Sequence, residues 1–476
     1  MNGLEIISMK KLLIIHLILL SVFGIAQNNL SWKNRKPNNS YWQQDVQYKI
    51  KAKIDEDKLT VGGEIELVYT NNSPDSLKEV YFHVYQNAFQ KGSYYHNLQV
   101  ENGKKPWYGL YESKGLGTSL DSLECSKGID SIIADNTLIK VLLKKAIQPH
   151  ESVVFDLNFK TYWGSGSTRR RMKAYYVEGK FVHFNGAHWY PRMAVYDQKF
   201  GWDTNQHLDK EFYGDFGTFD VELDFANDYI VEATGELQNE QDVLPKELKE
   251  KLHISNYYHR GSESIGDTLS IPIKRIKGER KVWKYHAENV HDFAFTADPT
   301  FRLDEKEWKG IKVIAAVEER HCPKWKSATT FALDVIKVYS TDFGMYQYPK
   351  MVVADANDGM EYPMITFDGG SEPYFKGLFA HEIAHNWFYG MVGSNETYRA
   401  MMDEGFTQFL TVWSLVKIDG AVYQPYTKPS KKAYIRKYRK APKSIDLRAY
   451  LGYLNSAIKR EDPPLNTHSS DFDGGS

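Results

Sequence analysis

The chain has 476 residues, of which 42% are hydrophobic and 25% are charged. This balance is typical of a folded globular protein, and the length indicates two or three domains. Lys and Arg total 60 against 61 Asp and Glu, so there is no basic field that would attract nucleic acid or an anionic membrane. Nucleic acid is therefore not expected among the partners.

Residues 1–26 have the features of a secretory signal peptide. A basic start at residues 9–11 precedes an apolar run at residues 12–23, and the segment ends on the small residue Ala26. The apolar run is shorter than the roughly 20 residues that a membrane-spanning helix needs, which disfavours the alternative of an anchor. We expect cleavage after Ala26, with Met9 as an alternative start. The sequence thus predicts export, to the periplasm or the medium, without a stable membrane anchor.

Alternating hydrophobic and polar residues predict a β-rich domain over residues 27–304. Such a period of two is typical of half-buried strands, and turn-rich breaks separate the runs. The pattern indicates a large antiparallel β domain. The hydrophobic positions of two such runs are Val46, Tyr48, Ile50, Ala52 and Ile54, and Phe219, Val221, Leu223 and Phe225.

A helical period replaces the alternation further along the chain. Pro323 suits a first helical turn, and the apolar residues after it recur on one helical face. The sequence therefore predicts a mainly helical domain over residues 305–476. The residues of that face are Trp325, Ala328, Ala332, Val335, Ile336 and Tyr339.

The two cysteines, Cys125 and Cys322, fall in different predicted domains. Export would permit a disulfide between them. The sequence does not fix their separation, and two separate thiols are the simpler interpretation.

A His-Glu-x-x-His motif at residues 381–385 carries the strongest chemical signal. On a helix, His381 and His385 lie one turn apart on the same face, so both imidazoles can bind one Zn²⁺. Glu382 projects beside them and is the candidate general base, which takes a proton from water and passes it to the leaving amine. The alternative for such a motif is a purely structural helix.

A catalytic zinc site needs a third protein ligand, and Glu404 is the candidate. Gly390 and Gly393 interrupt the first helix, and a second helical pattern contains Glu404 near its start. Two helices joined by a short loop can bring that carboxylate back to the metal. Two histidines and one glutamate form the gluzincin arrangement, which predicts one zinc per chain and peptide hydrolysis.

Upstream, Gly359, Met360 and Glu361 precede the strand-like residues 364–367. Here the sequence resembles the aminopeptidase N family, whose Gly-x-Met-Glu-Asn motif lies at a similar distance from the zinc helix. Further segments that resemble that family are Trp189-Tyr190-Pro191, Trp387 after the second histidine, and Asp403-Glu404-Gly405-Phe406.

The resemblance implies peptide substrates and a role for Glu361 in binding their free α-amine. A fixed carboxylate near the zinc would pair with the ammonium and set the cut at the first peptide bond. Gly359 and Met360 would belong to the neighbouring substrate strand. Asp358 and Tyr362 depart from the motif's Gly and Asn, which leaves the preferred first residue open.

The same resemblance implies the fold class. It predicts a saddle-like antiparallel β-sandwich over residues 27–304, followed by a thermolysin-like, mainly helical catalytic domain over residues 305–476. The family's Tyr that stabilises the transition state is expected near residues 464–470, where no Tyr stands. The sequence therefore predicts a C-terminally truncated catalytic domain, with that Tyr beyond Ser476.

Two alternatives to an aminopeptidase stay open. One is a catalytically weak or inactive relative that acts as a binding module, which the presence of all three metal ligands disfavours. The other is a thermolysin-like endopeptidase, which Glu361 disfavours because an endopeptidase has no free amine to bind.

Overall fold

The computed structural model describes residues 41–164, 171–210, 213–257, 271–421 and 450–469. The predicted signal peptide lies outside these ranges. Contacts divide the chain into the units Met1–Trp42 and Gln43–Ser476, and the description below concerns the second unit. The predicted domain boundary after residue 304 stays a prediction.

Strands dominate the described part of the chain. In chain order they are β1 (Asp45–Asp55), β2 (Thr60–Thr70), β3 (Leu77–His83), β4 (Thr118–Cys125), β5 (Ile129–Asp135), β6 (Leu138–Ile147), β7 (Ser152–Tyr162), β8 (Ala174–Val177), β9 (Phe181–Gly186), β10 (Arg192–Met193), β11 (Tyr196–Asp197), β12 (Gly201–Trp202), β13 (Gly217–Ala226), β14 (Ile230–Ala233), β15 (Glu236–Leu237), β16 (Arg280–Val290), β17 (Phe295–Asp298), β18 (Phe301–Trp308), β19 (Ile311–Glu318), β20 (Lys350–Asp355), β21 (Met360–Tyr362) and β22 (Ile365–Asp368).

Helices are fewer in the described ranges. The α-helices are α1 (Tyr94–Glu101), α2 (Glu240–Val243), α3 (Lys246–Leu252), α4 (Ala328–Asp342), α5 (Phe375–His385), α6 (Phe406–Asp419) and α7 (Leu451–Lys459). Short 3₁₀ turns span Tyr85–Phe89, Glu112–Lys114, Ile254–Tyr257 and Glu319–Lys324, and a π-helical turn spans Met401–Gly405.

These strands form five sheets. A seven-stranded sheet has the order β15-β16-β13-β1-β2-β7-β4, and two four-stranded sheets have the orders β10-β3-β6-β5 and β14-β17-β9-β8. β11 and β12 form a two-stranded ribbon, and a five-stranded sheet has the order β18-β19-β20-β22-β21. The first strands are those that alternation predicts: every second residue of β1 is buried, and β13 alternates along most of its length. β1 pairs antiparallel with β2 but parallel with β13, so the large sheet is not purely antiparallel.

The predicted mainly helical, thermolysin-like domain over residues 305–476 is wrong, since strand outweighs helix in this structure. The five-stranded sheet begins at Phe301 and runs to Asp368, through the start of the predicted helical region. β19 and β20 are buried on both faces, so they carry continuous apolar runs instead of alternation. Between residues 301 and 368 the clear pattern in the sequence was therefore the helical period, and it marks the single α-helix α4.

α4 connects the parallel strands β19 and β20, as a crossover helix does in a βαβ unit. Its buried face contains the predicted residues Ala328, Ala332, Val335, Ile336 and Tyr339. This face packs against α5 and α6. The Tyr339 hydroxyl donates to the Ala380 carbonyl on α5 at 2.7 Å and lies 3.0 Å from the Ser414 hydroxyl on α6. α4 thus joins the sheet to the helices that carry the candidate site.

Cys125 lies on β4 and Cys322 in the turn before α4, and no disulfide joins the two sulfurs. Within the described ranges, no helix has both the length and the hydropathy needed to cross a bilayer.

Candidate metal centre

The two motif histidines lie on α5 as predicted. Their Nε2 atoms are 3.3 Å apart. The buried face of α5, which includes Phe379 and Ile383, packs the helix into the core. His385 is fully buried, whereas 23% of the His381 side chain is exposed. The pair therefore opens towards solvent on one side only, as a site that admits a ligand requires.

Glu404 completes the group from the π-helical turn before α6. Its Oε2 lies 3.2 Å from the His381 Nε2 and 3.9 Å from the His385 Nε2. In a tetrahedral zinc site with bonds of about 2.0–2.1 Å, neighbouring ligand atoms are about 3.3 Å apart. All three ligand atoms lie within 4.8 Å of one another, so these residues can hold a metal ion.

The charge of Glu404 also suits a ligand. Burial alone would raise its pKa, but the hydrogen bond from His381 and the adjacent His385 hold the pKa of this carboxyl below its ordinary value. The carboxylate is the form that binds a cation.

Asp403, to which sequence reasoning assigned no role, orients one of the two histidines. Its buried Oδ1 is hydrogen-bonded to the Nδ1 of His385, and the Thr407 hydroxyl lies 3.3 Å from the same nitrogen. A carboxylate that accepts the Nδ1 proton leaves the Nε2 lone pair free to face a metal. The position directly before a carboxylate ligand is the only sequence signal that could have marked Asp403.

Glu382 lies on the buried side of α5, only 4% exposed. Burial, together with the charges of Glu361 and Asp368, raises the pKa of its carboxyl well above the ordinary value. Such a carboxyl binds a proton more readily than an exposed one, which suits a group that takes and returns protons.

Glu361 lies beside this centre, on β21. Its Oε1 is 4.0 Å from the His385 Nδ1, and its carboxylate, that of Glu382 and the His385 ring have ligand atoms within 4.8 Å of one another. Only 3% of Glu361 is exposed. A second carboxylate thus lies next to the ligand group without belonging to it.

Gly359 allows the strand to approach α5 closely. A Cβ at this position would lie 3.0 Å from the Leu378 Cδ1 and 3.2 Å from the Glu382 Oε1. Met360 follows it, buried and paired with Phe367 of β22. The strand therefore passes directly over the candidate general base.

The buried side chain of Asn386 joins the end of α5 to the same strand. Its Oδ1 accepts from the Met364 backbone N–H at 2.9 Å and from the Tyr346 hydroxyl at 3.3 Å, and its Nδ2 donates to the Tyr362 carbonyl at 3.5 Å. The histidine helix and the strand of Glu361 are thereby held together by one amide.

Two further groups of three share Glu318: His183 and Asp298 lie close to it on one side, and His321 and Asp355 do so separately, each group with ligand atoms close enough for a metal. Here, however, the imidazoles pair directly with carboxylates: the His183 Nδ1 is 3.0 Å from Asp298, and the His321 Nδ1 is 2.6 Å from Asp355. Burial opposes charge on His183, yet Asp298 raises its pKa above the ordinary value. The third carboxylate, Glu318, pairs with the Arg320 guanidinium at 2.6 Å. With both imidazoles protonated, three cations face three carboxylates, so this set has charge balance without a metal.

The structure thus brings together His381, Glu382, His385, Glu404 and Glu361, with Gly359 and Met360 in the adjoining strand. No protein-family model matches the chain, and no curated protein matches it. The resemblance to aminopeptidases therefore depends on the sequence motifs alone.

Proposed function

We propose that this chain is a zinc-dependent aminopeptidase of the aminopeptidase N family that hydrolyses the N-terminal bond of peptides. The observation that carries the proposal is the position of the buried Glu361 carboxylate beside Glu382 and His385, since the three residues have ligand atoms within 4.8 Å of one another. A metal group alone would fit many hydrolases. A buried carboxylate beside it adds a binding point for a cationic group, and a free peptide N-terminus is such a group.

The ligand set supports zinc as the metal. Two imidazoles and one carboxylate, with the fourth position left to water or substrate, are typical of catalytic zinc, and the separations of 3.2, 3.3 and 3.9 Å among His381, His385 and Glu404 suit its bond lengths. When bound, zinc supplies a Lewis acid that polarises the substrate carbonyl and lowers the pKa of water.

The residues around the ligands then have separate roles. Glu382 accepts the proton of the attacking water and donates it to the leaving amine. Asp403 keeps the His385 ring in the tautomer and orientation that binding requires. Glu361 binds the substrate ammonium, which would hold the first peptide carbonyl near His381, His385 and Glu404 and keep the reacting groups together. Export, as predicted from residues 1–26, would place this reaction outside the cytoplasm.

The experiment compares matched peptides with free and with acetylated N-termini on the zinc-loaded protein. We expect release of the first residue only from the free peptides. Cleavage of acetylated peptides would contradict the proposal and indicate an endopeptidase, and zinc binding without any cleavage would indicate a binding relative.

Two variants assign the roles. Glu361→Gln should raise KM for free peptides by about tenfold or more, because it removes a charge-assisted contact, and it should leave zinc content unchanged. Glu288→Gln makes the same chemical change at an exposed carboxylate near His286 on β16 and should have no effect. Equal KM values for the two variants would remove Glu361 from the amine site.

A further inference from the structure

We propose that Arg171 is a positioning residue, which together with Asp358 fixes the strand of Glu361 over the metal centre. This inference rests on the proposed aminopeptidase function. The sequence motifs place every residue of the candidate site between positions 359 and 404. Arg171 adds to them a cation from the β-rich first part of the chain.

The direct contact is a hydrogen bond to the strand itself. The Arg171 Nη1 donates to the Gly359 carbonyl at 2.6 Å, and the same nitrogen lies 3.7 Å from the Asp358 Oδ1. Only 16% of the Arg171 side chain is exposed. A guanidinium bonded to a carbonyl at partial burial is a charge-assisted contact, which is stronger than one between neutral groups.

A second cation acts on the same segment. The Lys173 Nζ lies 3.0 Å from the Asp358 Oδ2 and donates to the Asn357 carbonyl at 3.2 Å. Asp358 in turn accepts from the Gly359 backbone N–H at 3.0 Å. The carboxylate of Asp358, 8% exposed, therefore links the cations Arg171 and Lys173 to the backbone just before Glu361.

The strand needs this support because its own pairing is short. β21 has three residues, and within the described sheet it lies at the edge and pairs with β22 alone. A strand of this length makes few ladder hydrogen bonds. Its position beside Glu382 is also tight, because a Cβ on Gly359 would come within 3.2 Å of that carboxylate. A shift of the strand would thus move Glu361 relative to the metal ligands.

The contacts of Arg171 and Lys173 with Asp358 also explain one departure from the motif. Where the family motif opens with glycine, this chain has Asp358, and glycine offers no carboxylate to either cation. The chain therefore holds the strand by charge at a position where the motif residue has no side chain.

The test measures kcat and KM on a peptide with a free N-terminus, together with zinc content and the thermal midpoint. Arg171→Ala should raise KM about tenfold with kcat within about threefold of wild type, because misplacing Glu361 weakens a contact made before and during the reaction. Arg171→Lys should recover part of that loss, since an ammonium can still donate to Gly359. Asp358→Asn, which keeps the size and removes the charge, should raise KM in the same direction.

The control is Arg275→Ala, which removes an arginine that pairs with Asp228 instead and should leave KM unchanged. If wild type does not require a free amine, the proposed function fails whatever Arg171 does. If wild type requires it and Arg171→Ala matches Arg275→Ala, the positioning role is overturned and the function stands. Should Arg171→Ala fail to fold, Asp358→Asn decides: an unchanged KM overturns the proposal.

Discussion

Replacing Asp403 tests how the centre orients its histidine. Asp403 and His385 are both buried, and the carboxylate contacts the His385 Nδ1 directly, while Thr407 lies 3.3 Å from the same nitrogen. Asp403→Ala removes the charged acceptor but leaves the threonine hydroxyl, so some orientation survives. Losses of this kind weaken metal binding about 10- to 100-fold, which equals about 1.4 to 2.8 kcal/mol. We expect the upper part of that range for alanine and about tenfold for Asp403→Asn, which keeps an acceptor oxygen.

The assay is a competition for zinc between the protein and a chromogenic chelator at fixed pH. Asp342→Ala is the control, because that exposed carboxylate accepts from Trp413 on α6 and lies outside the ligand group. A zinc Kd for Asp403→Ala within twofold of wild type would refute the orienting role. Complete loss of binding, as for His385→Ala, would instead show that Asp403 acts as a ligand.

Three further predictions concern Glu382, Gly359 and the buried His207. Glu382→Gln should abolish peptide hydrolysis while zinc content stays at about one per chain, as measured by metal analysis, because the ligands remain; retained turnover would exclude Glu382 as the base. Gly359→Ala should lower kcat/KM at least tenfold, since its Cβ would press on Leu378 and Glu382; wild-type kinetics would show that the strand has room to move. Burial lowers the pKa of His207 to about 3, whereas the unfolded chain protonates it near 6.5. The unfolded state then binds the extra proton, so stability falls as pH drops below about 6.5, by up to roughly 2 kcal/mol at pH 5 from this residue. His207→Phe should flatten the fall in denaturant titrations, and an equal slope in both proteins would contradict the assignment.

The histidines of the candidate metal group could be predicted because their geometry is local. His381 and His385 lie one turn apart on any helix, so their spacing alone brings the imidazoles together. Glu404 required one more step, a helix that returns to the first, and the structure has it on a π-helical turn instead of within a regular helix.

Arg171 could not be predicted because its contact with Gly359 joins parts of the chain 188 positions apart. No local pattern encodes such a separation. The five-stranded sheet was missed for a different reason: β19 and β20 are buried on both faces, and a strand without a polar face has no period of two. Sequence pattern thus predicted the half-exposed strands, the strand-like residues 364–367 and the helix of His381 and His385, but not the rest of the five-stranded sheet or the contact of Arg171 with Gly359.

The amide of Asn386 has a consequence for how far a substrate can enter. Because it joins the end of the histidine helix to the strand of Glu361, the fold sets the separation between the candidate metal group and the Glu361 carboxylate. Under the proposed function, one amino-acid residue would fit between the bound ammonium and the cleaved bond. A peptide would then be shortened by one residue at each cleavage.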